Sequence, residues 1–183
     1  MAIHPDTASM LQESLREYLC VAEWCVHYQK DASWGTEQVG GRLGYPAAVM
    51  MFCIADTIGS FHRADKSFSA PVDGKAVTIR QQGFHHFYVL NSDYYQQSLS
   101  GAAIKRLYAN FRDLLVHNAA LAPEHILISL PMVPDAFPIM EGRQLVNING
   151  FLRISDAAVK LFLERLPTVV PGSSQEVNIR KKR

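Results

Sequence analysis

A helix that is apolar on every side has one place in a water-soluble fold, its interior, and residues 47 to about 61 read as such a helix. Val49, Met50, Met51, Phe52, Cys53, Ile54 and Ile58 leave it no polar face, and Pro46 suits its first turn. The rest of the chain therefore has to supply its cover. Asp56 is the odd residue inside it, because a carboxylate in a core must find partners or stay protonated. Two placements fit. Either Asp56 pairs with a cation or donor from the stretch 94–121, Arg112 first among them, or it sits at the margin and bonds to solvent or loop backbone. The most apolar window, residues 47–58, includes Asp56 and is shorter than the roughly twenty residues that span a bilayer, so no membrane association is expected.

The stretch 94–121 carries the strongest helical period. Ile104, Leu107, Tyr108, Phe111, Leu114 and Leu115 recur at three- and four-residue steps, one stripe of an amphipathic helix. Pro123 forbids much further helix. Arg112, Asp113 and His117 lie within this stretch. Asp113 and His117 share a face, so the carboxylate is expected to hold the imidazole. Arg112 projects about 140° around the axis from His117, at roughly 100° per residue. One helix alone thus presents the two groups poorly to one substrate atom, whereas two such helices at a two-fold axis would combine them.

Around these two helices the order is readable. Asp6 or Thr7 caps a first helix running to about Lys30, with Leu11, Leu15, Tyr18, Leu19, Ala22 and Val26 as its buried stripe. A glycine-rich loop follows, without the G-x-G-x-x-G spacing of a dinucleotide site. Residues 63–83 look like a surface excursion with a turn at Asp73-Gly74 and a short strand at 76–80. Phe84-His-His-Phe-Tyr88 reads as an aromatic lid or packing segment, because adjacent histidines diverge and no second pair has metal-ligand spacing. A β run at 126–130 leads to a hairpin, 137–149, turning at Glu141-Gly142. A last helix spans 150–166, stopped by Pro167. The tail 168–183, ending Arg180-Lys-Lys-Arg183, reads as a solvated, mobile basic terminus.

These elements predict a mainly α fold: an up-and-down bundle of four or more helices with a small β-hairpin before the last helix, one domain over residues 1–167. A chain of 183 residues buries roughly 70% of its unfolded surface, enough for one such core. A net charge of +1 argues against a broadly basic surface that grips nucleic acid non-specifically. Cys20, Cys25 and Cys53 have no framework or zinc-module spacing and are expected to be buried reduced thiols. The first ten residues lack the basic start and apolar run of a signal peptide, so the expected compartment is the cytoplasm.

With Arg112, a polar residue directly after it, and His117 four residues further on near a helix end, the central helix resembles the HEPN superfamily of helical bundles. A long first helix, a buried second helix and aromatic Tyr108 and Phe111 ahead of the motif fit the same likeness. The hairpin departs from the simplest form of that bundle. The resemblance implies a metal-independent endoribonuclease acting as a homodimer, often in defence or toxin–antitoxin systems, with no cofactor and with an antitoxin or another protein as partner. It makes Arg112 the phosphate grip, His117 the proton carrier, Asp113 its orienting carboxylate, and Asn118, Tyr108 and Asp56 substrate-side groups. Some bundles of this look are instead non-catalytic dimerisation or nucleotide-binding modules. In that alternative Arg112 and Asp113 are interhelical glue and His117 with Asn118 is a helix C-terminal cap.

Overall fold

The computed structural model describes residues 4–181, and the fold is mainly helical. Helix α1 (Thr7–His27) starts where Asp6 accepts from the Ser9 backbone N–H at 2.7 Å. It buries Leu11, Leu15, Ala22, Cys25 and Val26. Tyr18, expected in that stripe, is instead exposed, as is Cys20. Both lie at the edge of the stripe, where a tyrosine keeps its hydroxyl in water.

Helix α2 (Gly44–Phe61) is the interior helix, with Ala47, Ala48, Met51, Phe52, Ile54, Ala55 and Ile58 fully buried. It is longer than its apolar window suggested and by length and composition alone would reach across a bilayer. More than half of it is covered by the chain's own elements: α1, a 3-10 helical segment (Gly83–Asn91) and α5 (Ile148–Val169). The cover is aromatic. Phe87 of the 3-10 segment stacks on Phe52 with centroids 5.7 Å apart, and Phe151 of α5 meets the same ring edge-on at 4.9 Å. Gly59 lets the 3-10 backbone lie against α2, since a Cβ there would overlap the His86 carbonyl.

Between α2 and that segment, β1 (Ala70–Val72) and β2 (Lys75–Val77) pair antiparallel. Asp73 and Gly74 both have positive φ, as a two-residue hairpin turn demands. The expected strand at 76–80 is thus shorter and begins one residue earlier.

The central helix begins at Gly101, not at Tyr94. Ser100 caps it, accepting from the Ala103 N–H at 3.2 Å, and Tyr94 and Tyr95 are buried in the preceding irregular turn. It has three parts: α3 (Gly101–Arg106), a π-helical segment (Leu107–Asp113) and α4 (Leu114–Asn118). Ala119, in the left-handed region, ends it ahead of Pro123. The π segment was not expected from a period that fits α geometry.

Strands β4 (Ile139–Met140) and β5 (Arg143–Gln144) form a hairpin at the expected Glu141-Gly142 turn, but it is shorter than the expected 137–149, because β6 (Val146–Asn147) pairs in parallel with β3 (Leu127–Ile128) instead. Asn147 is wholly buried and satisfied: its amide donates to the carbonyls of Leu130, Val133 and Asp135, each at 3.1 Å, and so ties down the proline-rich connection.

Helix α5 runs through Pro167 to Val169 instead of stopping there. Proline so near the end forfeits little of the ladder, and Val170, which continues the turn by donating to the Leu166 carbonyl, gains burial. Nor is the following tail simply solvated. Helix α6 (Ser174–Lys181) packs on α2, and Ser174 Oγ donates to the Arg63 carbonyl at 3.0 Å while accepting from Arg63 Nε at 3.3 Å. The last two residues of the basic run, Lys182 and Arg183, lie outside the described residues.

Candidate functional site

Asp56 does pair with Arg112. One carboxylate oxygen accepts from Arg112 Nη2 at 2.7 Å, and the other bonds His86 Nδ1 at 2.7 Å. The side chain is 20% exposed, so burial alone would raise its pKa. The His86 hydrogen bond and the Arg112 charge outweigh that and hold the carboxyl below the usual aspartate range. Arg112 in turn bonds Asp113 through Nη1 at 2.8 Å and lies 5.2 Å over the Tyr108 ring. These carboxylates raise its pKa against the opposing effect of burial. A single chain of contacts therefore runs from His86 through Asp56 to Arg112, on which Asp113 and the Tyr108 ring both converge.

Three elements build this chain, and each contributes by its local geometry. α2 offers the carboxylate from an otherwise apolar helix. The 3-10 segment, pressed against Gly59, delivers His86. The π segment presents Tyr108 and Arg112 together. To donate to a carboxylate, His86 Nδ1 carries the proton, which in the neutral ring leaves Nε2 as a lone-pair acceptor. Nε2 is buried and has no hydrogen-bond partner, and neither has Arg112 Nε. Buried polar atoms without a partner are uncommon, and this cluster holds two of them.

Asp56, His86, Tyr108 and Arg112 line a polar cleft of about 320 Å³, walled also by Thr57, Ser60, Gln82 and Gln175. Arg63 reaches it from the end of α2. Only its Nε is engaged, with Ser174, and its terminal nitrogens have no partner among the described residues. A larger cleft of about 790 Å³ opens on the other side of Arg63. Its imidazole is spent: His62 bonds Asp65 at 3.2 Å through Nδ1 and the Tyr94 hydroxyl at 3.0 Å through Nε2. Of its two cations, Arg165 is held by Asp93 at 2.6 Å and Arg63 is shared with the smaller cleft. Size favours the larger cleft, but unspent chemistry sits in the smaller one.

Of the residues singled out from the sequence, Asp56, Tyr108, Arg112 and Asp113 come together. His117 and Asn118 do not join them; they lie exposed at the end of α4. The expected bond from Asp113 to His117 is absent among the described residues. Asp113 closes the π segment, where the Arg112 guanidinium is adjacent and part-buried, and that charge pair prevails over an exposed imidazole. His86 and Arg63 are the residues sequence reasoning missed. The one signal for His86 was the demand of buried Asp56 for a partner, met thirty residues away.

No family model matches the chain, and no curated protein or solved structure does. Among the described residues no group of three or more His, Cys, Asp or Glu side chains is placed to hold a metal ion. What the cluster offers chemically is an imidazole steadied by a carboxylate, its second nitrogen buried and unbonded, beside two guanidinium groups that can neutralise an anion.

Proposed function

We propose that this chain is a metal-independent endoribonuclease of the HEPN type, a cytoplasmic homodimer built on an up-and-down helical bundle. In this reading the Asp56–His86–Arg112 cleft is its reacting centre. The observation that carries the proposal is the His86 imidazole, held by Asp56 through Nδ1 with Nε2 unmatched in a cleft shared by Arg112 and Arg63.

Cleavage without metal needs a base for the ribose 2′-hydroxyl, charge on the phosphate and a proton for the departing oxygen. His86 Nε2 takes the 2′ proton as that oxygen attacks phosphorus. The 5′ oxygen leaves, takes up a proton, and the products are a 2′,3′-cyclic phosphate and a 5′-hydroxyl end. Asp56 stabilises the imidazolium that forms. The remaining N–H groups of Arg112 and those of Arg63 face the phosphate, with Asp113 and Tyr108 fixing Arg112. His117, exposed with Asn118 at the end of α4, supplies the leaving-group proton to the partner subunit's cleft, the role that the two-fold arrangement of the motif implies. An antitoxin would act by covering this cleft.

One observation favours a second reading, a non-catalytic dimerisation or nucleotide-binding module. Arg112 is already matched by two carboxylates and His86 Nε2 is screened from water. Labelled RNA incubated with the purified protein in excess chelator separates the two. The nuclease reading expects cyclic-phosphate ends, lost by about 10²-fold or more in His86→Ala and His117→Ala. Intact RNA together with nucleotide binding that depends on Arg63 and Arg112 would establish the module instead.

A further inference from the structure

The π segment has a second working side. Away from the Asp56 cleft, its residues Asn110 and Phe111, with Arg106 at the end of α3, face the β4–β5 turn across a cleft of about 390 Å³, which Arg143, Gln144 and His125 complete. Its chemistry differs from that of the other two clefts. Neither Arg106 nor Arg143 has a hydrogen-bond or ion-pair partner among the described residues, and both are exposed at the rim. Deeper in, Gln144 Oε1 and His125 Nδ1 are screened from water and unbonded. The one acid in the wall, Glu124, is 63% exposed and 3.7 Å from His125 Nδ1, beyond hydrogen-bond reach. The cleft is thus net positive with an unmet acceptor inside, and its volume falls within the range of about 300–1,000 Å³ usual for binding sites.

The unmet groups define the occupant. Two free guanidinium groups call for carboxylate or phosphate. Gln144 Oε1 calls for an N–H, which a bare inorganic anion lacks. Between the two arginines the rim carries one aliphatic side chain, Ile139, which is 72% exposed. Phe111 offers no stacking face, being 1% exposed, and single-stranded nucleic acid depends on such faces. A polypeptide meets all three demands, with carboxylate, backbone N–H and aliphatic side chain in one short segment. We propose that this cleft is a docking site for an acidic segment of a partner protein. Its carboxylate sits between Arg106 and Arg143, a backbone N–H donates to Gln144 Oε1, and a neighbouring aliphatic side chain lies on Ile139. The proposal is independent of the ribonuclease reading, because none of these residues belongs to the His86 cleft.

The test is selection of a displayed random heptapeptide library on the full-length protein, followed by synthesis of the leading peptide with free and amidated C-termini. Enriched peptides are expected to pair Asp, Glu or a free C-terminal carboxylate with Leu, Ile or Val. Affinity should fall at least tenfold in Arg106→Ala and in Arg143→Ala at unchanged melting temperature, and should weaken with salt. A loss on amidation assigns the carboxylate to the chain end, and no loss assigns it to Asp or Glu. Enrichment without acidic character, affinity indifferent to both arginines, or displacement of the peptide by oligoadenylate or oligouridylate would each overturn the proposal. Gln144→Leu supplies the second variant: it removes the acceptor without touching charge and should weaken binding about fivefold or more.

Discussion

Replacing Asp56 with alanine removes the carboxylate shared by His86 Nδ1 and Arg112 Nη2, each at 2.7 Å. Arg112 keeps Asp113, and the His86 ring is left with neither nitrogen matched. Removing one partner of a fully buried pair costs about 3–5 kcal/mol. The Asp56 and Arg112 side chains retain 20% and 19% exposure, and that residual solvation brings the expectation to about 2–3 kcal/mol. At about 2–4 °C per kcal/mol for a domain of this size, the melting temperature falls by about 4–12 °C. Asp56→Asn keeps an acceptor for His86 and loses only the charge, so its cost is about 1–2 kcal/mol. Urea unfolding followed by far-UV circular dichroism is the suitable assay, because Trp24 and Trp34 are already 59% and 44% exposed and report weakly on the core. A double-mutant cycle with Arg112→Met isolates the pair, with a coupling above about 0.5 kcal/mol expected for residues in direct contact. Additive single costs, or an Asp56→Ala variant as stable as the parent, would refute the claim that this carboxylate organises the cleft.

Gly59→Ala puts a methyl group into the His86 carbonyl; overpacking of about 1–3 kcal/mol or more is expected, and in a histidine NMR spectrum the His86 resonances should move more than those of His62. Asp56 and His62 are two of the groups whose depressed pKa makes stability sensitive to acid. Asp56, depressed in the fold, contributes stability that is present above the unfolded carboxyl value of about 3.9 and lost as pH falls through its lower folded value. His62 is depressed chiefly by burial, against the raising effects of Asp65 and Asp93 and alongside the Arg165 charge. The unfolded chain therefore takes up its proton first as pH drops through about 6.5, and stability declines from there toward the folded value. Melting temperature should fall between pH 7 and pH 5, and His62→Gln should flatten that window while leaving the Asp56 limb in place.

The sequence carried the helices well where burial alone decides them. A stretch without a polar face becomes the interior helix, and an Asp-Gly or Glu-Gly pair between short β runs becomes a hairpin. The demand of Asp56 for a partner was legible for the same reason, but its pairing with Arg112 was one of two placements the sequence left open, and the structure decides between them. Three features were not legible. Pro167 reads as a stop unless the burial of Val170 is known, and that depends on tertiary packing. The tail 168–181 has little apolar content of its own, yet it is held through Ser174 and Arg63, a contact between residues 111 positions apart. His86 sits in a run whose local character is aromatic, and only the approach of the 3-10 backbone to Gly59 carries it to Asp56.

The π segment is the deepest of these departures, because it changes which residues share a side of the central helix. A hydrogen bond reaching five residues back widens the turn, and such segments recur where a side chain must be aimed. Here Tyr108 and Arg112 meet Asp56 on one side while Arg106, Asn110 and Phe111 face the β4–β5 turn on the other. Ala109 is exposed within the segment, so deleting it is the least disruptive way to shorten it toward α geometry. Six α residues at roughly 100° each and seven residues of the wider π turn cover nearly the same angle, so the deletion leaves α3 and the residues after the segment in register, with Phe111 and Leu115 in the core. The change falls inside the segment, where Tyr108 and Arg112 become three residues apart instead of four. Helical content and the Asp56–Arg112 coupling in the double-mutant cycle should both survive. Loss of that coupling in the shortened chain would mean that the widened turn itself, and not the ion pair, sets the aim of Arg112.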